Sequence, residues 1–236
     1  MHSLQLARTE SRASPASWFT MLGPALPALA IVLLWWPSLP ASFQFDDWNV
    51  IVNEPRVHSF AAWWQSMPGI RPLLKLSYAL NMSIDASPAG FRVVNILIHA
   101  VSATLVCSLL RTRGIRAGLA EGDASCAALF AALVFALHPA QTEAVTYISG
   151  RSSALAGCFC LLSLYCWVRG GPSERAIRGG AWLAMCALCF CLAVATKETA
   201  LILPLAMLLY SADRPLPSTL RRLAPLLAKI LAGVEA

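Results

Sequence analysis

Long apolar runs separated by short polar connections set the pattern of this chain. The runs Trp18 to Leu39, Phe91 to Leu110, Ala124 to Leu137, Ala154 to Val168, Ala181 to Ala195 and Thr199 to Tyr210 are bounded by Arg, Lys, Gly or Pro. A bilayer core takes about 20 apolar residues of helix, so the pattern predicts an all-α polytopic membrane protein of about six transmembrane helices. The first run exceeds the ~7–15 apolar residues of a signal peptide and more spans follow it, which favours an uncleaved anchor. The last run spans only ~18 Å at 1.5 Å per residue. It either extends back through Lys197 and Glu198 or ends at a cavity, and in both cases an ion pair sits at membrane depth, where charges face protein or water.

The same pattern divides the chain into an N-terminal tail over 1–17, a membrane domain over 18–213 whose large first outer loop (40–90) contains interfacial helices, and a tail over 214–236. In that last segment Leu220, Leu223, Leu227, Ile230 and Val234 recur at helical spacing with Arg221, Arg222 and Lys229 between them. This reads as an interfacial amphipathic helix or the start of a seventh span. No repeat of 20–50 residues is visible.

Composition agrees with the pattern. Of 236 residues, 58% are hydrophobic and 13% charged, with a mean hydropathy of +0.63. A soluble domain carries closer to ~25% charged residues. A disordered chain is excluded and a water-soluble globule is disfavoured. The net charge of +6 does not indicate nucleic acid, because Lys and Arg form no dense stripe interleaved with aromatics. It reads instead as topology. A cytoplasmic N-terminus puts Arg8, Arg12, Arg111, Arg113, Arg116, Arg169, Arg175, Arg178, Arg214, Arg221, Arg222 and Lys229 on one side, as the positive-inside rule requires. The Ala-rich composition leans toward a bacterial inner membrane. Seven of the eight cysteines lie inside apolar runs and Cys126 lies at the edge of one, where thiols pack as small hydrophobes. No metal site is expected at Cys186, Cys189 and Cys191.

The scarce polar residues therefore carry weight. Phe45-Asp46-Asp47-Trp48-Asn49 opens the first outer loop. Neighbouring side chains of an extended segment point to opposite faces, so one carboxylate faces a substrate while the other holds the loop or a divalent metal. The sequence does not choose between them. Arg71 and Lys75 share a helix face if Pro72 takes the first helical position, which makes a grip for a phosphate at the bilayer surface or a pair of snorkelling anchors. Asn95 and His99, four residues apart on the second membrane helix, suit a helix–helix hydrogen bond better than a ligand set. His138, Glu143, Tyr147 and Arg151 fall within one connection. Each also has an ordinary role as cap, first-turn acid or charge anchor.

Taken in order, Phe45-Asp46-Asp47 with Ile51, Asn53 and Val57, then Arg71-Pro72-Leu73 with Leu76-Ser77-Tyr78, Asn95 with His99, His138-Pro139 to Glu143, Tyr147 to Arg151, and Lys197-Glu198 with Pro204 resemble the N-terminal membrane half of the transmembrane and tetratricopeptide-repeat O-mannosyltransferase-like family, within the GT-C glycosyltransferases. The resemblance implies a catalytic aspartate, here Asp46 or Asp47, and a polyprenyl-phosphate-linked sugar donor entering laterally from the outer leaflet. It implies a carboxylate base acting on an acceptor hydroxyl of a protein or glycan, with inversion at the sugar, while Arg71, Lys75, Arg151 or Lys197 stabilises the departing lipid phosphate. Asn53, Asn95, His99, His138, Glu143, Tyr147 and Glu198 are implied to line the site. Members of the family continue into further membrane helices and repeats. The expectation is thus a truncated enzyme, or a half that needs a partner to supply the rest. Two other classes remain open: a non-catalytic subunit that keeps the fold, and a small transporter motivated by charge at membrane depth.

Overall fold

The computed structural model describes residues 23, 25–66, 69–170 and 176–210. The tails over 1–17 and 214–236, with Arg8, Arg12 and the amphipathic pattern beyond Arg214, lie outside them. The described elements are helical, with no strand among them. They comprise α1 (Ala25–Trp35), α2 (Phe60–Gln65), α3 (Pro72–Ile84), α4 (Pro88–Arg116), α5 (Glu121–Leu137), α6 (Thr142–Val145), α7 (Arg151–Arg169), α8 (Ala176–Thr196) and α9 (Leu203–Tyr210), joined by 3-10 turns and one π-helical turn at Trp48–Val52.

Three segments are long and apolar enough to cross a membrane: Pro88–Arg116, Ile148–Arg169 and Gly179–Thr196. A fourth forms if Glu121–Leu137 and Pro139–Val145, bent by 53° at their break, make one span. Ala25–Ser38 and Glu198–Tyr210 are shorter. The protein is an all-α integral membrane protein. The last apolar run is the element that departs from a continuous helix. Lys197 has extended backbone, a 3-10 segment runs Glu198–Ile202, and α9 begins at Leu203, leaving Pro204 in its first turn.

Long α4 is the central post. α5 lies antiparallel beside it, α1 packs against both, α7 takes its other side, and α8 packs on α7. The α4–α5 seam rests on small residues. Ala124, Ala128, Ala132 and Ala136 recur every fourth position of α5 and are all buried, whereas Phe130 and Val134 face outward. In lipid there is no hydrophobic drive between helices, so close approach of small residues supplies the packing. Ala100, Ala103 and Cys107 answer from α4.

Between α1 and α4 the chain stays near one end of the bundle. α2 exposes Phe60 and Trp64 and buries Trp63, whose indole N–H donates to the Pro72 carbonyl at 2.8 Å. Such amphipathic rings suit a membrane–water interface. The segment folds over a second small core of Ile51, Val57, Leu74, Tyr78, Phe91 and Ile148, so the 44–57 loop is packed on α3, α4 and the connection before α7.

The alanine seam makes a direct prediction. Ala132→Leu lowers the unfolding free energy by about 1–3 kcal/mol through overpacking, while Val134→Leu on the open face changes it by less than about 0.5 kcal/mol. Reversible unfolding in mixed micelles measures both.

Candidate functional site

The two neighbouring carboxylates have opposite fates. Asp47 is fully buried and Asp46 is exposed. One oxygen of Asp47 accepts the Ser149 backbone N–H at 2.8 Å and the Ser149 hydroxyl at 2.6 Å, and the other accepts the Gln44 backbone N–H at 3.0 Å. The Asp47 N–H in turn donates to the Gln44 carbonyl at 2.9 Å. This closed turn aims the preceding residue away from the core. Phe45 takes a left-handed conformation with φ 45° inside it, a conformation that costs a residue bearing a Cβ about 1–2 kcal/mol. Asp46 emerges on the solvent side, and its backbone N–H donates to the Tyr147 hydroxyl at 3.3 Å. Burial pushes the Tyr147 phenol above its ordinary pKa, and the Asp46 carboxylate beside it adds to the effect. The phenol therefore keeps its proton at neutral pH.

Two buried arginines fix the frame behind this turn. Arg92 is 1% exposed and its guanidinium donates to three carbonyls: Thr146 at 2.9 Å, Ser42 at 2.5 Å and Ala41. It thereby ties the 41–42 stretch and the 142–147 connection to α4. Arg151 is equally enclosed. It donates to the Asn95 side-chain carbonyl at 2.7 Å, the Asn81 side-chain carbonyl at 2.9 Å and the Phe91 carbonyl at 2.8 Å, and sits over the rings of Tyr78 and Phe91 at 5.0 and 5.2 Å. The amide of Asn95 points at the carbonyls of Val145, Tyr147 and Ile148, each at 3.4 Å. His99 pairs with the Ala136 carbonyl at 3.1 Å. Asn95 and His99 thus join helices and connections to one another, and the Arg151 guanidinium is turned into the protein interior rather than toward a ligand.

The remaining expected cations separate as well. Pro72 does occupy the first position of α3, and Arg71 before it is left-handed at φ 57°. Arg71 makes a two-pronged pair with Glu198, at 3.1 and 2.6 Å, across 127 residues of sequence. Lys75 is half-buried, its ammonium 3.2 Å from where a Cβ on Gly69 would stand. Lys197 donates to the Ser153 hydroxyl at 2.7 Å, which leaves further N–H donors on its ammonium. Ser153 also lines a groove of about 400 Å³ shared with His99, Ser102, Phe135, Gln141, Gly157 and Leu161. Lys197 is therefore hydrogen-bonded to a residue that lines this groove between α4, α5 and α7.

His138 ends α5, and its Nδ1 accepts the Ala140 N–H at 3.1 Å. Glu143 and Asn53 are exposed near this end. Gly150 is required by close approach, since a Cβ there would lie 1.8 Å from the Glu143 carbonyl oxygen. Among the described residues no group of three His, Cys, Asp or Glu side chains is arranged to hold a metal ion.

Sequence reading missed Arg92, Ser149, Asn81 and Ser153. Arg92 carries a signal, being a lone charge at the start of an apolar helix, where a charge needs partners. The serines carry none.

No family model matches the chain, and no solved structure matches it. Curated proteins do. The protein O-mannosyl-transferase Tmtc2 of Drosophila melanogaster is 33% identical over 215 residues, 80% of this chain and 21% of the relative. The protein O-mannosyl-transferase TMTC3 of Homo sapiens is 30% identical over 68% of this chain and 16% of the relative, and tmtc2 of Xenopus laevis is 30% identical over 63% and 19%. The chain belongs to the TMTC-like O-mannosyltransferase family. It spans about a fifth of the length of these curated relatives.

The Arg71–Glu198 pair yields a pH prediction. Hydrogen bonding to Arg71 brings the Glu198 carboxyl from its ordinary 4.5 down to about 2. A depressed carboxylate pKa means that the contribution of the pair is fully present above pH 4.5 and is lost as pH falls toward 2. A carbon-13 carboxyl titration should place Glu198 near the lower value in the native chain and return it to the ordinary range in Arg71→Gln. An ordinary midpoint in the native chain would contradict the pairing.

Proposed function

We propose that this chain carries the reacting end of a membrane sugar transferase, moving mannose from a polyprenyl-phosphate donor to a protein hydroxyl, with Asp46 as base and Lys197 as the phosphate contact. The observation that carries the reading is the division of the acidic pair. Asp47 is consumed by the fold, which leaves Asp46 as the exposed carboxylate on a turn held at fixed distance from Tyr147. The curated relatives are named for O-mannosyl transfer to protein.

The chemistry follows from the side chains. Asp46 takes the proton of an acceptor hydroxyl as its oxygen bonds to the anomeric carbon. The bond from that carbon to the phosphate oxygen breaks on the opposite side, so the configuration inverts. The leaving lipid phosphate keeps the electron pair, and the Lys197 ammonium stabilises its charge. The groove lined by Ser153, the partner of Lys197, would take the apolar chain of the lipid. Arg71 is held by Glu198 and Arg151 by the interior, which is why Lys197 is preferred among the cations. The reading places the site on the non-cytoplasmic face, with the N-terminus in the cytoplasm, as the basic residues of the other connections favour.

Asp46→Asn should abolish mannosyl transfer from a polyprenyl-phosphate donor and leave unfolding unchanged. Asp47→Asn should instead lower stability by roughly 1.5–3 kcal/mol, because charge-assisted hydrogen bonds are lost. Lys197→Ala should raise the donor KM more than tenfold. Full activity of Asp46→Asn would overturn the assignment.

A further inference from the structure

The described structure holds one large aromatic side chain in an unusual position beside Asp46. Phe45 is 82% exposed and left-handed at φ 45°. Its neighbour two residues earlier, Phe43, does the ordinary thing and packs inward, edge-on against Phe91 and Trp48 at 5.9 and 6.3 Å. Phe45 instead presents its ring next to Tyr147, with centroids 6.3 Å apart and planes at 81°. The phenol of that same Tyr147 takes the Asp46 N–H. Ring, phenol and carboxylate therefore meet on one turn.

We propose that Phe45 is a stacking platform for the apolar face of a hexopyranose, with the Asp46 carboxylate and the Tyr147 hydroxyl meeting the hydroxyl rim of the sugar. The inference deepens the sugar-transfer reading and rests on it for the class of ligand. Three observations favour a sugar over lipid as the neighbour of the ring. An aromatic face is electron-rich and attracts the weakly positive C–H groups of a pyranose face. Gln44 and Asp46 flank the ring on both sides and are exposed, so pushing Phe45 into hydrocarbon would draw a carboxylate with it. The turn closed by Asp47 on Gln44 holds Phe45 left-handed with its ring outward, and strained conformations cluster where a ligand is gripped. Phe60 and Trp64 on α2 are the aromatic residues placed as interfacial anchors, and they lie on regular helix.

The test is saturation-transfer NMR with methyl α-D-mannopyranoside on the whole chain in nanodiscs of deuterated lipid, comparing the native chain with Phe45→Ala and Phe45→Leu. Phe45 is open to solvent, so both variants should keep the native helix content and unfolding. The native chain should pass saturation most strongly to C–H protons of one sugar face. Both variants should show at least a threefold weaker signal. A Phe45→Leu signal equal to the native one would overturn the proposal, since an apolar anchor would then suffice, and so would absence of signal from the native chain. Mannosyl transfer by Asp46→Asn is measured alongside. If that variant stays fully active while both Phe45 variants lose the sugar signal, the base assignment fails and the platform stands.

Discussion

A buried guanidinium cannot shed its proton, so every N–H it brings into a membrane protein has to find an acceptor. Arg92 meets that demand by collecting carbonyls from two connections that are far apart in sequence, Ala41–Ser42 and Thr146. Arg151 meets it with Asn81, Asn95 and the Phe91 carbonyl. The geometry of the polar end follows from these two solutions. Once Arg92 has joined the two connections, Ser149 stands where Asp47 can accept both its N–H and its hydroxyl, 102 residues away along the chain. The single negative charge of Asp47 also lies within the field of Arg92, which eases the burial of both.

The turn at Asp46 is a consequence of this frame. Asp47 is pulled inward and closes on Gln44, so the chain reverses sharply, Phe45 is forced left-handed, and Asp46 is carried outward. A second left-handed residue, Arg71, lies at the start of α3 and is gripped by Glu198 from the broken start of the last apolar segment. Both strained positions border the polar end. Away from it the structure is regular and relies on small-residue packing between helices, which transmits no such strain.

Much of the fold was legible because apolar run length reports directly on membrane helices. Each of the six runs contains a described helix, but among the described residues three helices, or four with the bent pair, are long and apolar enough to cross a membrane against the six expected, and an extension such as residues 88–90 is a first turn of small residues that hydropathy does not register. The break at Lys197 was legible as a length deficit. The site was legible only in part. Alternation along an extended segment predicts that Asp46 and Asp47 diverge, but the chain here is a turn leading into helix, so their divergence and the burial of Asp47 follow from that turn and from Ser149, and no local pattern encodes a contact across 102 residues. Arg71, Lys75, Arg151 and Lys197 look alike as charges. What separates them is their partners: a carboxylate, a glycine gap, two asparagines and a serine at a groove. Asn95 and His99 were readable as helix-joining groups because polar side chains within an apolar helix have few alternatives.

The central claim is that the Arg92 guanidinium couples the two connections into one unit. Hydrogen exchange on the native chain and on Arg92→Gln tests it most directly, read at the amides of residues 44–49 and 145–149. The account predicts that both segments lose protection together while the α4–α5 seam keeps its own. Loss confined to one segment, or unchanged protection in both, would contradict it.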